Sequence, residues 1–272
     1  MDIIRCPKAV AYALFGQNQL WAGKPPAPSL HFQLPRRRDA KMDCALQVEN
    51  LTVRFGDMTV LKDLSFSVSR GSTLAVIGPN GSGKTVLFRA LIGALTHEGN
   101  IRWAPGTRIG YVPQKLDLQR DMPVTGIDLL RTRVTLTRKS EADIRAALDL
   151  VGLSAQSADK PLGVMSGGQF QRLLVGFAIL GDPTVLMMDE PTAGVDDPGQ
   201  KKLNDLLRHL QTSLGVTVLF ISHELSIVSR YANEVLCVGH GRFCHGPIRK
   251  VLTPDVLNDM YGEPVEYHVH DR

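Results

Sequence analysis

Three short, almost wholly apolar runs in the chain are each followed directly by residues that can carry chemistry. They are Leu74–Ile77, Val185–Met188 and Val216–Ile221. A strand of a parallel sheet is buried on both faces and is therefore apolar throughout, whereas a half-exposed strand alternates. The runs predict strands of a parallel sheet, and residues 43–55 predict a strand pair that precedes them.

Between Gln114 and Ser166 the pattern becomes helical. Residues 125–136 form one candidate helix, and a second begins at the capping box of residues 140–143. The second candidate continues with apolar positions at helical spacing and is expected to end at Gly152. Its apolar positions are Ile144, Ala147, Leu148 and Val151.

The composition is that of an ordinary globular protein, with 43% apolar and 21% charged residues. The longest apolar runs, such as Leu173–Leu180, fall far short of the roughly 20 residues that a membrane span requires. Because the cysteines include no CxxC pair, we expect no disulfide staples and a reducing cytoplasm. The cysteines are Cys6, Cys44, Cys237 and Cys244.

The net charge of +4 is distributed unevenly along the chain. Residues 1–41 carry a net charge of +5, which leaves −1 for residues 42–272. The latter lack the basic surface of a general nucleic-acid-binding protein, so we expect no nucleic-acid partner. Residues 1–41 are proline-rich and without a helical or strand period. We expect them to be a disordered extension, or to precede a physiological start at Met42.

The first apolar run leads into a sequence with the spacing GxxxxGK[ST]. In such a P-loop, glycines let successive backbone N–H groups point at phosphate oxygens. A helix, expected from Gly83 to about Leu95, directs its positive end at the same anion. Lys84 would reach the β- and γ-phosphates of ATP, and the Thr85 hydroxyl would bind Mg²⁺. By itself the pattern also fits a glycine-rich turn. The loop consists of Gly78, Pro79, Asn80, Gly81, Ser82, Gly83, Lys84 and Thr85.

The second apolar run ends in two carboxylates, Asp189 and Glu190. Ligands of open parallel sheets bind where the strands end. Beside a P-loop, the pair indicates that Asp189 binds Mg²⁺ and that Glu190 orients or deprotonates the attacking water. In an arbitrary sequence the same pair would equally fit exposed acids at a strand end.

A third sequence, MSGGQFQR at residues 165–172, closely resembles the LSGGQ signature of ABC-transporter ATPases. Ser166 is a good N-cap, with Gln169 three residues later. A helix from Gly167 to about Leu180 would therefore offer its positive end to a phosphate. The alternative is a well-capped core helix.

The resemblance covers residues 45 to about 250 and implies an α/β P-loop NTPase fold of the ABC-ATPase type. Such a fold has a RecA-like core, an N-terminal antiparallel β-subdomain and an inserted α-helical subdomain, here at about 115–165. The ATPase domain would occupy residues 42–252, and residues 253–272 would form a C-terminal tail.

The resemblance also implies roles for residues outside the three motifs. Phe55 would stack on adenine, and Gln114 would sense Mg²⁺ and nucleotide as the Q-loop glutamine. Asp196 would belong to the D-loop at a dimer interface, and His223 would contact the γ-phosphate. Val86 departs from the family pattern, because the usual Ser or Thr hydroxyl is lost there. Gln114 could otherwise be a turn glutamine, His223 a solvated loop residue and Phe55 a strand-core side chain.

ABC ATPases act as pairs, so the resemblance implies a homodimer that encloses two ATP molecules. Each ATP would lie between the P-loop of one copy and the signature of the other, formed by Ser166, Gly167, Gly168 and Gln169. The implied partners are integral-membrane permease subunits at the cytoplasmic face of the membrane. A periplasmic or surface metal-binding protein would be an indirect partner.

Four further stretches resemble the zinc and manganese importer branch of the family, and its zinc-import members above all. They are residues 111–117, 121–125, 222–225 and 234–238. This predicts the ATP-hydrolysing subunit of a zinc importer, with a manganese or iron importer as the alternative. A soluble ABC ATPase of DNA repair or translation fits less well, because only 82 residues separate Lys84 from Ser166.

The C-terminal part is rich in potential zinc ligands, including His268 and His270. Four more surround a predicted hairpin, but their spacing fits no standard zinc site. A hairpin with polar turn residues followed by a frayed tail is the simpler interpretation. The four are Cys237, His240, Cys244 and His245.

Overall fold

The computed structural model describes residues 44–114, 123–192, 205–212, 215–239 and 242–261. The strands are β1 (Cys44–Phe55), β2 (Met58–Ser69), β3 (Thr73–Ile77), β4 (Glu98–Trp103), β5 (Ile109–Val112), β6 (Val185–Asp189), β7 (Thr217–Ile221), β8 (Glu234–Gly239) and β9 (Arg242–Pro247). The helices are α1 (Lys84–Leu91), α2 (Gly126–Thr137), α3 (Glu141–Leu150), α4 (Ala155–Ala158), α5 (Gly167–Ile179), α6 (Leu225–Tyr231), α7 (Ile248–Val251) and α8 (Pro254–Tyr261). Residues 205–212 are also helical, and a 3₁₀ turn spans Leu162–Val164.

The three apolar runs form central strands of a six-stranded sheet with the order β5-β6-β7-β3-β8-β9. Strands β5, β6, β7, β3 and β8 are parallel, and β9 is an antiparallel edge strand. In β3, Leu74 and Val76 belong to the core on one face, and Ala75 and Ile77 to the core on the other. Burial on both faces explains why the run contains no polar position.

A smaller antiparallel sheet, with the order β2-β1-β4, covers one face of the central sheet together with α1. Strand β2 alternates: it buries Leu64, Phe66 and Val68 and exposes Ser65 and Ser67. This alternation is typical of a sheet with one face in solvent. The predicted α/β fold with an antiparallel β-subdomain is confirmed.

Helices α2, α3 and α5 pack on the other side and share a core with the central sheet. Both α2 and α3 begin at capping boxes. The Thr125 backbone N–H donates to the Asp128 carboxylate at 3.1 Å, and the Ser140 N–H donates to Asp143 at 2.8 Å. The predicted box at 140–143 is therefore present. Residues 115–122 of the expected helical subdomain lie outside the described residues.

Helix α1 is shorter than expected and ends at Leu91 rather than near Leu95. Gly93 has a φ of +75°, and its N–H donates to the Ala90 carbonyl at 2.9 Å. A glycine in this left-handed conformation closes the helix and turns the chain towards β4.

The expectation of no disulfide staples is wrong at the β8–β9 hairpin, where Cys237 and Cys244 form a disulfide. The antiparallel register places the two residues opposite each other, with their Cα atoms 4.9 Å apart. The next residue, His245, lies opposite Leu236, and its Nε2 is 3.0 Å from Glu234 Oε2. Within the described residues, no three His, Cys, Asp or Glu side chains form a group suited to a metal. His240, His268 and His270 lie outside them.

Reduction of this disulfide is expected to lower the free energy of unfolding by about 2 kcal/mol, because the bond closes a short loop in the unfolded chain. Urea denaturation with and without a thiol reductant measures the effect. Cys44→Ser removes a free cysteine and should keep the sensitivity to reductant, whereas Cys244→Ser should lose it. A midpoint that reductant leaves unchanged in the wild type would contradict the prediction.

Candidate active site

The P-loop lies between the end of β3 at Ile77 and the start of α1 at Lys84. Two of its glycines occupy positions that no side chain could take. A Cβ on Gly78, whose φ is +148°, would lie 2.0 Å from the Val238 carbonyl oxygen. A Cβ on Gly83, whose φ is +99°, would lie 2.9 Å from the Val60 side chain. Close packing and left-handed turns therefore require glycine at both ends of the loop, which curls its amides inward.

The Lys84 side chain is buried and joins the start of the loop to its end. Its Nζ donates to the carbonyl oxygens of Gly78 and Pro79, at 2.8 and 2.9 Å. Burial lowers the pKa of Lys84, and the carboxylates of Glu190 and Asp189 partly offset this effect. The loop thus fixes a cationic group next to two acids.

Asp189, the last residue of β6, is only 1% exposed. Its Oδ1 has no hydrogen-bond partner among the described residues, while a hydrogen bond from Thr85 reaches the carboxylate. Burial raises the pKa of Asp189 above its ordinary value, and the Thr85 hydrogen bond opposes the rise. A buried carboxylate with an oxygen left unpaired is costly, and a cation at this place would compensate it.

Glu190 follows Asp189 and has a left-handed backbone conformation, with a φ of +49°. Its side chain points towards the ends of two neighbouring strands. Gln114, just after β5, donates from Nε2 to Glu190 Oε2. His223, just after β7, has its Nδ1 4.0 Å from Glu190 Oε1. Because β5, β6 and β7 are adjacent and parallel, three residues far apart in sequence meet at one edge of the sheet.

These residues line a single open cavity of about 840 Å³. Besides most of the P-loop it includes Gln114, Glu190 and His223. Phe55 and Met58, at the turn between β1 and β2, form part of its rim and are 46% and 62% exposed. An exposed ring beside a phosphate-binding loop is placed to stack on a base. The cavity has the size and polarity gradient that a nucleotide requires.

The signature residues begin α5 and do not line this cavity. Ser166 Oγ accepts from the Gln169 backbone N–H at 3.3 Å, and Gln169 Oε1 accepts from the Ser166 N–H at 3.1 Å. This reciprocal capping box leaves the amides of Gly167 and Gly168 at a positive helix end. The P-loop and this helix end are thus two separate features of one copy of the chain, each of a kind suited to an anion.

The structure thus brings together most of the predicted site residues and leaves Ser166, Gly167, Gly168 and Gln169 apart from them. Asp196 lies outside the described residues. Sequence reasoning missed Tyr261, which lines the cavity from α8, a segment assigned to the tail. The signal was the helical spacing of Leu257, Met260 and Tyr261 after Pro254. Met58 was also missed, because nothing distinguishes an exposed methionine in a hairpin turn.

Comparison with known proteins identifies relatives over most of the chain. Residues 61–193 match the ABC transporter family. The zinc import ATP-binding protein ZnuC of Cereibacter sphaeroides is 37% identical over 218 residues, which are 80% of this chain and 88% of that protein. ZnuC of Yersinia enterocolitica is 39% identical over 223 residues, or 82% and 87% of the two chains.

Solved structures share the fold. A metal-chelate type ABC transporter in an inward-facing conformation superimposes with a TM-score of 0.73 at 29% identity, covering 81% of this chain and 90% of that one. A dimeric bacterial ABC transporter cassette superimposes with a TM-score of 0.66 at 21% identity, covering 75% of this chain and 99% of that one. With the P-loop, the acidic strand end and the capped signature helix in place, these similarities show that the chain belongs to the ABC transporter family, as one of its ATP-hydrolysing subunits.

Proposed function

We propose that the protein is the ATP-hydrolysing subunit of a zinc importer and powers uptake through a membrane permease. The cavity that joins Lys84, Thr85 and Glu190 to an exposed aromatic rim supports nucleotide hydrolysis. Zinc is the cargo that the two ZnuC relatives are named for, at 37% and 39% identity. The structure related at 29% identity belongs to a metal-chelate type transporter, which also favours a metal cargo over other solutes.

In this proposal the P-loop amides and Lys84 bind the phosphates of ATP, and Phe55 stacks on the adenine. Glu190 orients the attacking water and accepts its proton, since its carboxylate is held by Gln114 and faces His223. His223 would contact the γ-phosphate from the next strand end. Val86 offers no hydroxyl to the α-phosphate, and the loss of one neutral hydrogen bond costs about 0.5–1.5 kcal/mol.

The residues present also fit Mg²⁺, a hard cation that takes oxygen ligands. Asp189 offers an unpaired buried carboxylate oxygen with the Thr85 hydroxyl beside it, and Gln114 lies at the adjacent strand end. When bound, Mg²⁺ would neutralise charge on the phosphate oxygens. Thr85, Asp189 and Gln114 would hold it.

Asp189→Asn is expected to stabilise the nucleotide-free protein and to abolish Mg²⁺-dependent hydrolysis. Its raised pKa means that the ionised carboxylate destabilises the folded state at pH values above the unfolded pKa, and a neutral amide removes that cost. The melting temperature should rise, while kcat should fall at least about 100-fold. Thermal melts and ATPase assays measure both.

The matched control is Asp149→Asn, which changes an exposed acid on α3 and should alter neither quantity. A lower melting temperature for Asp189→Asn, or hydrolysis retained at the wild-type rate, would contradict the assignment of Asp189.

We further propose that two copies associate head to tail when ATP binds. The separation of the signature from the cavity supports this, because the helix end at Ser166 can reach a phosphate only if a second chain presents it. Closure of the pair would move the helical subdomains and the permease subunits held against them. The protein would then act at the cytoplasmic face of the membrane. Within the described residues, no helix has the length and apolar character to cross a bilayer.

Glu190→Gln should bind ATP, hydrolyse it at least about 100-fold more slowly, and accumulate as a dimer only when ATP is present. The substitution keeps the side-chain shape but removes the base, so the closed state would persist. Size-exclusion chromatography with and without ATP gives the oligomeric state. Glu141→Gln, on the surface of α3, is the control and should behave as wild type. Wild-type turnover in Glu190→Gln would remove Glu190 from its role.

The cargo is tested by disrupting the gene and growing the cells under metal chelation. The proposal predicts a growth defect that added zinc restores and that manganese or iron does not. Complementation with the wild-type gene should restore growth, and the Lys84→Ala gene should not. Rescue by manganese or iron alone would replace zinc with that metal as the cargo.

A further inference from the structure

The last described helix, α8, reaches the nucleotide cavity from the far end of the chain. Its apolar face is anchored by Leu257 and Met260, which are 0% and 7% exposed. A Cβ on Gly239, at the end of β8, would lie 3.3 Å from Met260 Cγ and 3.4 Å from Pro79 Cδ. The helix, the end of β8 and the second residue of the P-loop therefore meet at one point.

Tyr261, the final residue of α8, lines the cavity beside the first residues of the P-loop. Its hydroxyl oxygen is buried and has no hydrogen-bond partner among the described residues. Burial raises the pKa of Tyr261, and the Gly78 backbone N–H beside the hydroxyl opposes the rise. The phenol thus extends to the first residue of the P-loop.

This contact lies at the Gly78–Pro79 corner of the P-loop, which holds Lys84. The carbonyl oxygens of Gly78 and Pro79 are the two acceptors that hold Lys84 Nζ. On its other side the corner rests on the Val238 carbonyl, which fixes Gly78 from β8. A shift of the Gly78–Pro79 peptide would displace Lys84 from the phosphates and thereby weaken the binding of ATP.

We propose that Tyr261 is a positioning residue for ATP, whose side chain holds the Gly78–Pro79 corner of the P-loop and thereby sets the place of Lys84. This inference rests on the proposed nucleotide site. No described residue forms a hydrogen bond of normal geometry with the hydroxyl, so we expect the bulk of the side chain to carry the effect.

The test compares Tyr261→Ala with Tyr261→Phe in the full chain, by ATPase kinetics and by ATP titration in a Glu190→Gln background that does not hydrolyse. Tyr261→Ala should raise the KM and the Kd for ATP about tenfold and keep kcat within about threefold, because bound ATP still meets Glu190. Tyr261→Phe keeps the ring and should restore both constants to within about twofold of wild type.

Two controls separate positioning from general destabilisation. Asp259, on the same helix, forms an exposed ion pair of 2.8 Å with Arg242 of β9, and Asp259→Ala should break it and leave the KM unchanged. If Tyr261→Ala does not fold, Tyr261→Leu keeps an apolar side chain in its place and should raise the KM in the same direction.

A wild-type KM in the alanine or leucine variant would overturn the proposal. So would a raised KM in Tyr261→Phe, since the hydroxyl would then act on the nucleotide directly, or an equal rise in Asp259→Ala. Failure of the underlying site is distinguishable, because the wild-type protein would then not bind ATP and Lys84→Ala would bind no less than wild type.

Discussion

The contact between Gly78 and the carbonyl group of Val238 is the constraint on which the rest of the site depends. At this point two parallel strands bring their backbones so close that a single methyl group would lie 2.0 Å from an oxygen. The chain must therefore leave β3 as glycine and curl back. The curl places the Gly78 and Pro79 carbonyls where Lys84 donates to them. Loop, lysine and sheet form one rigid unit.

The order of the strands in the central sheet brings the remaining site residues together. The order β5-β6-β7-β3 places Gln114, Glu190 and His223 at successive strand ends next to the P-loop. Their separations in sequence are unrelated to their separations in space, because parallel strands deliver the residues that follow them to one edge. The same edge contains a buried oxygen of Asp189 that no described residue pairs by a hydrogen bond. The arrangement concentrates charge that a bound nucleotide and its cation would compensate.

The sequence predicts this site well because it is built from local signals. Runs such as Leu74–Ile77 are buried on both faces, and the P-loop spacing reflects turns that only glycine can make. Contacts between residues on different elements are harder to predict from the sequence. The Cys237–Cys244 bond depends on hairpin register, and the contact of Tyr261 with the P-loop depends on how α8 packs against β8. Spacing along the chain determines neither. The expectations for residues 1–41 and for Asp196 stay predictions, because these residues lie outside the described ones.

The central claim is that each ATP is held by Lys84 of one copy and Ser166 of the other. It is tested by mixing two variants, Lys84→Ala and Ser166→Arg, both carrying Glu190→Gln, and counting the ATP retained by the isolated mixed dimer. Each variant alone should retain none. The account predicts one ATP per mixed dimer, because one site then has an intact lysine and an intact serine. No ATP in the mixed dimer would contradict it.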